Sequence, residues 1–204
     1  MGGIRSREAE NLRQAWGRVT RWLERNAPKS AGALCGPATP KMIVDAEARL
    51  GVSFPQEMWT WLLTNNGVRM ADDEGGGRFA APYSSFLPSG WHLLSVAQIV
   101  NVCESRADLA AREPSPHPDR ETLAWRHDWV PFAVETDWLY GRFIDTSTGM
   151  LGKWSDGDLT RFETHASLAE YFHSLADDMR QRATAQDGRL VWGTRTRRPA
   201  EPSR

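Results

Sequence analysis

A chain of 204 residues is long enough for one ordinary domain, and at that size it buries roughly 70% of its unfolded surface without needing a disulfide or a metal. With 40% hydrophobic and 25% charged residues, and no apolar run near the ~20 residues that span a bilayer, it reads as a soluble globular protein. A net charge of −1 supplies no global field toward nucleic acid or an anionic membrane, so neither is expected as a direct partner.

The two cysteines, Cys35 and Cys103, match no metal-ligand spacing, and thiols without a secretory signal point to a reducing, cytoplasmic setting. The start MGGIRSREAE has no apolar core. It fits the Met-Gly-x-x-x-Ser lipidation pattern, which reads as coincidence because one myristoyl chain needs a second membrane signal. Ten tryptophans stand out. They belong either to an aromatic core or, for a few, to a binding surface, where Trp is enriched.

The elements follow in chain order. Leu12, Trp16, Val19 and Leu23 recur at helical spacing between Ser6 and Asn26. Residues 27–38 hold Pro, Gly and Ser and read as a loop. Thr39-Pro40 is an N-cap with proline at the first helical position, and Met42, Ile43, Ala46 and Leu50 form the stripe that follows. Gly51 supplies the left-handed end of that helix. Ser53 and Gln56 have capping-box spacing and restart a helix in which Met58, Trp61, Leu62 and Asn65 share a face. Asn66-Gly67 stops it.

Residues 68–90 are irregular, with the acidic, glycine-rich centre Asp72-Asp73-Glu74-Gly75-Gly76-Gly77. Trp91 to Leu94 reads as a short strand, and the capping box Ser95 to Gln98 opens a helix carrying Val96, Ile99, Val100, Cys103 and Ala107. Prolines at 114, 116 and 118 break it. The period then becomes two. Val130, Phe132 and Val134 alternate, with Pro131 suited to an edge or a strand start. Leu139–Asp145, Met150–Trp154 and Leu159–Phe162 follow across short turns, the last through Asp156-Gly157. Short turns require an antiparallel meander, because parallel strands need long crossovers. Ser167 to Glu170 is a third capping box, and Leu168, Tyr171, Phe172, Leu175 and Met179 form the cleanest amphipathic stripe. Beyond about Asp187 the chain thins to a polar tail.

The ordered set Glu47…Leu50-Gly51…Phe54-Pro55…Leu62-Leu63…Asn66-Gly67, then Trp129-Val130-Pro131-Phe132, then Phe143-Ile144-Asp145…Gly149-Met150 and the helix from Ser167, resembles the SUKH superfamily. Within it, the match is to the Smi/Knr branch, named for fungal regulators of cell-wall assembly. The similarity runs from about Trp16 to Arg182. It departs at Phe54, where leucine is usual, and at Asp137-Trp138-Leu139-Tyr140-Gly141, where many members have a glycine-rich polar turn. The resemblance implies an α+β domain with helices packed on one curved antiparallel sheet. It also implies a binding role: bacterial members are largely immunity proteins that neutralise polymorphic toxins, and fungal members are signalling scaffolds. The expected organisation is an N-terminal helix at 1–28, the Smi/Knr-like domain at 29–185 and a mobile tail at 186–204.

No catalytic constellation emerges from the residues themselves. Asp145, Asp156 and Asp158 sit where turns recruit Asp for backbone hydrogen bonds. His165 and His173 match no zinc spacing, the glycine run is no P-loop, and no serine lies in G-x-S-x-G. No enzyme activity, metal or cofactor is expected. Glu47 is either a structural acid or a wall of a binding cleft. Asp72, Asp73 and Glu74 are either a solvated loop or a source of negative charge for a basic partner, and Asp137 is a further candidate for partner contact. Trp138, Tyr140 and Trp154 either pack the sheet or anchor a partner. These eight are the candidate partner-binding residues. The expected partner is a protein: a nuclease- or deaminase-like toxin domain met by the sheet's open face and the 68–90 loop, or alternatively a regulatory protein.

Overall fold

A computed structural model describes residues 2–71, 79–112, 125–155, 160–162 and 165–193, with side chains from residue 6 onward. Among these residues the centre is a five-stranded antiparallel sheet in simple sequential order. Its strands are β1 (His92–Leu93), β2 (Trp129–Val134), β3 (Tyr140–Asp145), β4 (Leu151–Ser155) and β5 (Arg161–Phe162). The fold class is α+β, as the sequence implies. The acidic run Asp72-Asp73-Glu74, the proline-rich 113–119 segment and the Asp156-Gly157 turn lie outside the described residues.

Strand β2 departs from the expected alternation, because all six of its residues are buried. Both faces of β2 are covered, so none of its residues alternates out to solvent. Pro131 pairs with Phe143 of β3 and lies where β1, whose register partners are Ala133 and Val134, does not reach. The register shifts between Pro131 and Ala133, and this bulge is where a strand tolerates a residue that cannot donate to the ladder.

The helices begin and end largely where local chemistry requires. Helix α1 spans Gly2–Asn26, α2 is one turn at Pro28–Ala31, and α3 covers Pro40–Leu50. Thr39 caps α3 by accepting a hydrogen bond from the Met42 N–H, and Gly51 closes it at φ 68°. Helix α4 (Gln56–Leu62) starts without the predicted Ser53 cap. The Glu47 carboxylate of α3 reaches over the Gly51 turn instead and accepts the Phe54 N–H at 2.5 Å. Helix α5 (Val96–Arg112) opens on the expected reciprocal box: Gln98 N–H donates to Ser95 Oγ at 3.3 Å, and Ser95 N–H donates to Gln98 Oε1 at 3.0 Å. Helix α6 (Leu168–Arg182) is capped by Ser167, and the α4 residue Glu57 also accepts from the Leu168 and Ala169 N–H groups. The Glu57 carboxyl is raised above its usual range by burial, although those two N–H bonds oppose the shift.

Two aromatic clusters hold the layers together. Trp16 of α1, Trp61 of α4 and Phe172 of α6 meet with centroids 5.0–6.5 Å apart. On the sheet, Trp129 stacks on Phe143 at 4.3 Å, and Trp125 meets Trp129 and Trp154 edge-on. Of the ten tryptophans, Trp16, Trp61, Trp129, Trp138 and Trp154 are buried, and Trp22, Trp59, Trp91, Trp125 and Trp192 are half-buried. Trp is predominantly core here.

The chain does not thin out at Asp187. Strands β6 (Ala183–Gln186) and β7 (Arg189–Trp192) form a hairpin directly after α6, with Asp187-Gly188 as its turn. Leu190 is buried, its N–H donates to Ser30 Oγ at 3.1 Å, and Lys29 N–H donates to the Gly188 carbonyl at 2.8 Å. Residues 186–192, read from sequence as tail, are thus packed against the α2 turn.

Candidate functional site

Arg142 on β3 and Lys153 on β4 are register partners, so their side chains leave the same face of the sheet. Helix α6 crosses that face, with Tyr171 5.3 Å from Phe132. The 3-10 turn Pro88–Gly90 and Trp91 form the third side. Between these walls lies a cleft of about 330 Å³.

Cations and rings alternate around it. The Arg142 guanidinium lies between two rings, 5.8 Å from Trp91 and 5.3 Å from Tyr171. Lys153 Nζ is 5.6 Å from Trp91. Deeper along α6, Arg182 pairs with Asp178 at 2.5 Å and rests 5.7 Å from the Trp192 ring. Trp192 also donates its indole N–H to the Phe86 carbonyl at 2.8 Å, which holds the segment leading to Leu87 and Trp91. The C-terminal hairpin therefore braces one wall of the cleft.

The structure disperses the sequence-predicted set. Glu47 holds α3 to α4, accepting from Phe54 N–H and, at 3.0 Å, from the Trp59 indole. Trp154 is buried and donates its indole N–H to the Trp138 carbonyl at 3.3 Å, and Trp138 is itself 8% exposed. Both rings are covered where they sit. Tyr140 shares a strand face with Arg142, two residues away, and stands beside the cleft. Asp137 is exposed in the β2–β3 turn, next to Leu139, which is 39% exposed. Burial, reinforced by Asp137 and opposed by Lys153, raises the Glu135 carboxyl above its usual range. The sheet face expected to be open is crossed by α6, and what remains accessible is the cleft beside that helix.

Other reactive groups are accounted for locally. Asp145 forms the expected turn, accepting from Ser147 and Thr148 N–H and from the Ser147 hydroxyl. Burial pushes its carboxyl up, but those bonds and the Arg126 charge outweigh it and leave it below its ordinary value. Burial pushes the Cys103 thiol up to about 12, reinforced by Glu104. It also raises Cys35. Neither thiol is poised as a nucleophile. Among the described residues, no group of three or more His, Cys, Asp or Glu could hold a metal ion, and no helix is long and apolar enough to cross a membrane.

Arg142, Lys153 and Arg182 were not singled out from the sequence. The strand alternation that sets Arg142 and Lys153 opposite to Phe143 and Trp154 is legible there. Their facing across β3 and β4, beneath α6, depends on register and packing.

The described residues thus form an antiparallel meander flanked by helices, with a lateral cleft beside α6. The family model for SMI1 / KNR4 (SUKH-1) matches residues 37–174, well over half of the chain, and this protein belongs to that family. Domains of this family are generally non-catalytic protein-interaction modules. No curated protein gave a significant match to the sequence.

Proposed function

We propose that this chain is an immunity-type protein that neutralises a polymorphic toxin domain, nuclease- or deaminase-like, by occluding it. The observation that carries the reading is membership of the SMI1 / KNR4 family over residues 37–174. The contact surface in this reading is the sheet end that presents Asp137, Leu139 and Tyr140 beside the cleft, together with the acidic residues Asp72, Asp73 and Glu74. It acts as a cytoplasmic protein and binds its partner without a cofactor.

The test is affinity capture from native-host lysate with the full chain as bait, followed by an activity assay of the captured toxin domain. A stoichiometric partner with a C-terminal toxic domain, silenced when mixed with this protein, is the expected result. A captured toxin that stays fully active would overturn the reading for that toxin. Several substoichiometric regulatory proteins would place this chain among the scaffold-type members instead.

A further inference from the structure

The cleft differs in charge from the molecule that holds it. The whole chain carries −1, yet among the described residues the cleft walls bring Arg142, Lys153 and Arg182 together against Asp178, with Glu135 near enough to Lys153 to feel its charge. Arg142 and Lys153 are half-buried against Trp91 and Tyr171, so their charges work beside low-dielectric walls, which strengthens attraction for an anion. Arg182 is committed to Asp178, whereas the ammonium of Lys153 makes no ion pair among the described residues. Leu87 and Leu175 add an apolar lining.

We propose that this cleft receives an acidic segment of the protein partner, seating an Asp or Glu carboxylate on Lys153 and Arg142 with a neighbouring apolar side chain against Leu87 and Leu175. The inference rests on the reading of the chain as a protein-binding module and names the chemistry of what it holds. A carboxylate suits the site because Arg142 presents a planar fork whose position is set by two rings, while Lys153 adds a point charge across the strand pair. The far wall, Leu175 to Arg182 braced by Trp192, follows directly on residues 37–174, the range the family model matches.

The experiment uses the full chain and two peptide libraries, alternating Asp or Glu with apolar residues in one and Asn or Gln with the same apolar residues in the other. Binding is read by fluorescence polarisation. The acidic library is expected to bind in preference, with affinity falling as sodium chloride is raised. Lys153→Gln is expected to weaken it by about tenfold, and Lys153→Arg to restore most of it. Circular dichroism checks that both variants are folded. Equal binding of the two libraries, or an unchanged affinity in folded Lys153→Gln, overturns the proposal. So does a site that takes inorganic phosphate or citrate while showing no preference for acidic peptides. If a partner is captured whose affinity Lys153→Gln leaves intact, the cleft assignment fails while the binding function stands. If acidic peptides bind and no toxin is found, the cleft assignment stands while the toxin-neutralising reading fails.

Discussion

Gly141 and Trp154 stand directly opposite each other on β3 and β4, and the indole lies across the glycine. A Cβ on Gly141 would fall 2.0 Å from the indole Cη2, and one on Gly152 would fall 2.1 Å from Cζ of its opposed Phe143. Neither glycine has a left-handed backbone; each is a slot for the ring across the ladder. Gly141→Ala therefore has to displace a buried tryptophan, and the expected cost is about 2 kcal/mol or more. Urea denaturation followed by Trp fluorescence checks it. Gly36→Ala is the control, since nothing lies within 4 Å of its added methyl. It should change stability by no more than roughly 0.5 kcal/mol.

Glu47 is expected to behave as a strut between two helices. Glu47→Ala strands the Phe54 N–H and the Trp59 indole N–H, both of which lose a charged acceptor. The expected loss is about 2 kcal/mol. Glu47→Gln keeps a carbonyl oxygen and should recover part of it. Guanidinium denaturation orders the three proteins. A fall in partner affinity in fully folded Glu47→Gln would show that the carboxylate also reaches the contact surface.

His92 makes stability depend on pH. It is fully buried in β1, neither ring nitrogen has a hydrogen-bond partner among the described residues, and burial lowers its titration to about 4 from the ordinary 6.5. The unfolded chain thus takes up a proton between pH 6.5 and 4 that the folded chain refuses. The contribution of His92 is fully present above pH 6.5 and is lost as pH falls toward 4, by roughly 3 kcal/mol in all. His92→Leu should lose less stability than the wild type across that window, and at pH 5 it should be the more stable of the two. Thermal unfolding from pH 7.5 to 4.5 reads the difference. Parallel curves for the two proteins would contradict it.

The Trp192 indole ties the C-terminal hairpin to the Phe86 carbonyl. Trp192→Phe puts a smaller aromatic ring in place of the indole and removes the donor, leaving a carbonyl unmet beside buried Phe86. The expected cost is about 1 kcal/mol, localised rather than spread. Hydrogen–deuterium exchange should show faster exchange of residues 84–91, with β3 and β4 unchanged. Because Leu87 and Trp91 line the cleft, acidic-peptide affinity should fall in the same variant.

What the sequence determined by itself is what short-range chemistry determines. Thr39 and Gly51 delimit α3, Ser95 with Gln98 opens α5 and Ser167 opens α6, because each cap is satisfied by a backbone group within four residues. The meander was legible because short turns leave only antiparallel pairing, and Asp145 because an Asx turn is complete within three residues. Tertiary structure decided the rest. At Ser53 a carboxylate six residues upstream displaced the predicted cap, and in β2 a bulge and cover on both faces erased the period of two. Trp138 and Trp154 looked as suited to a partner as to a core, until packing buried them. The β6–β7 hairpin is half-exposed and becomes structural through contacts with Lys29, Ser30 and Phe86, more than 100 residues earlier in the chain. The cleft depends on the same kind of contact. Arg142, Lys153, Trp91, Tyr171 and Arg182 come from separate elements, and no local pattern encodes their meeting. Local hydrogen bonds are written into neighbouring residues, whereas burial and charge clustering arise only when distant surfaces exclude water between them.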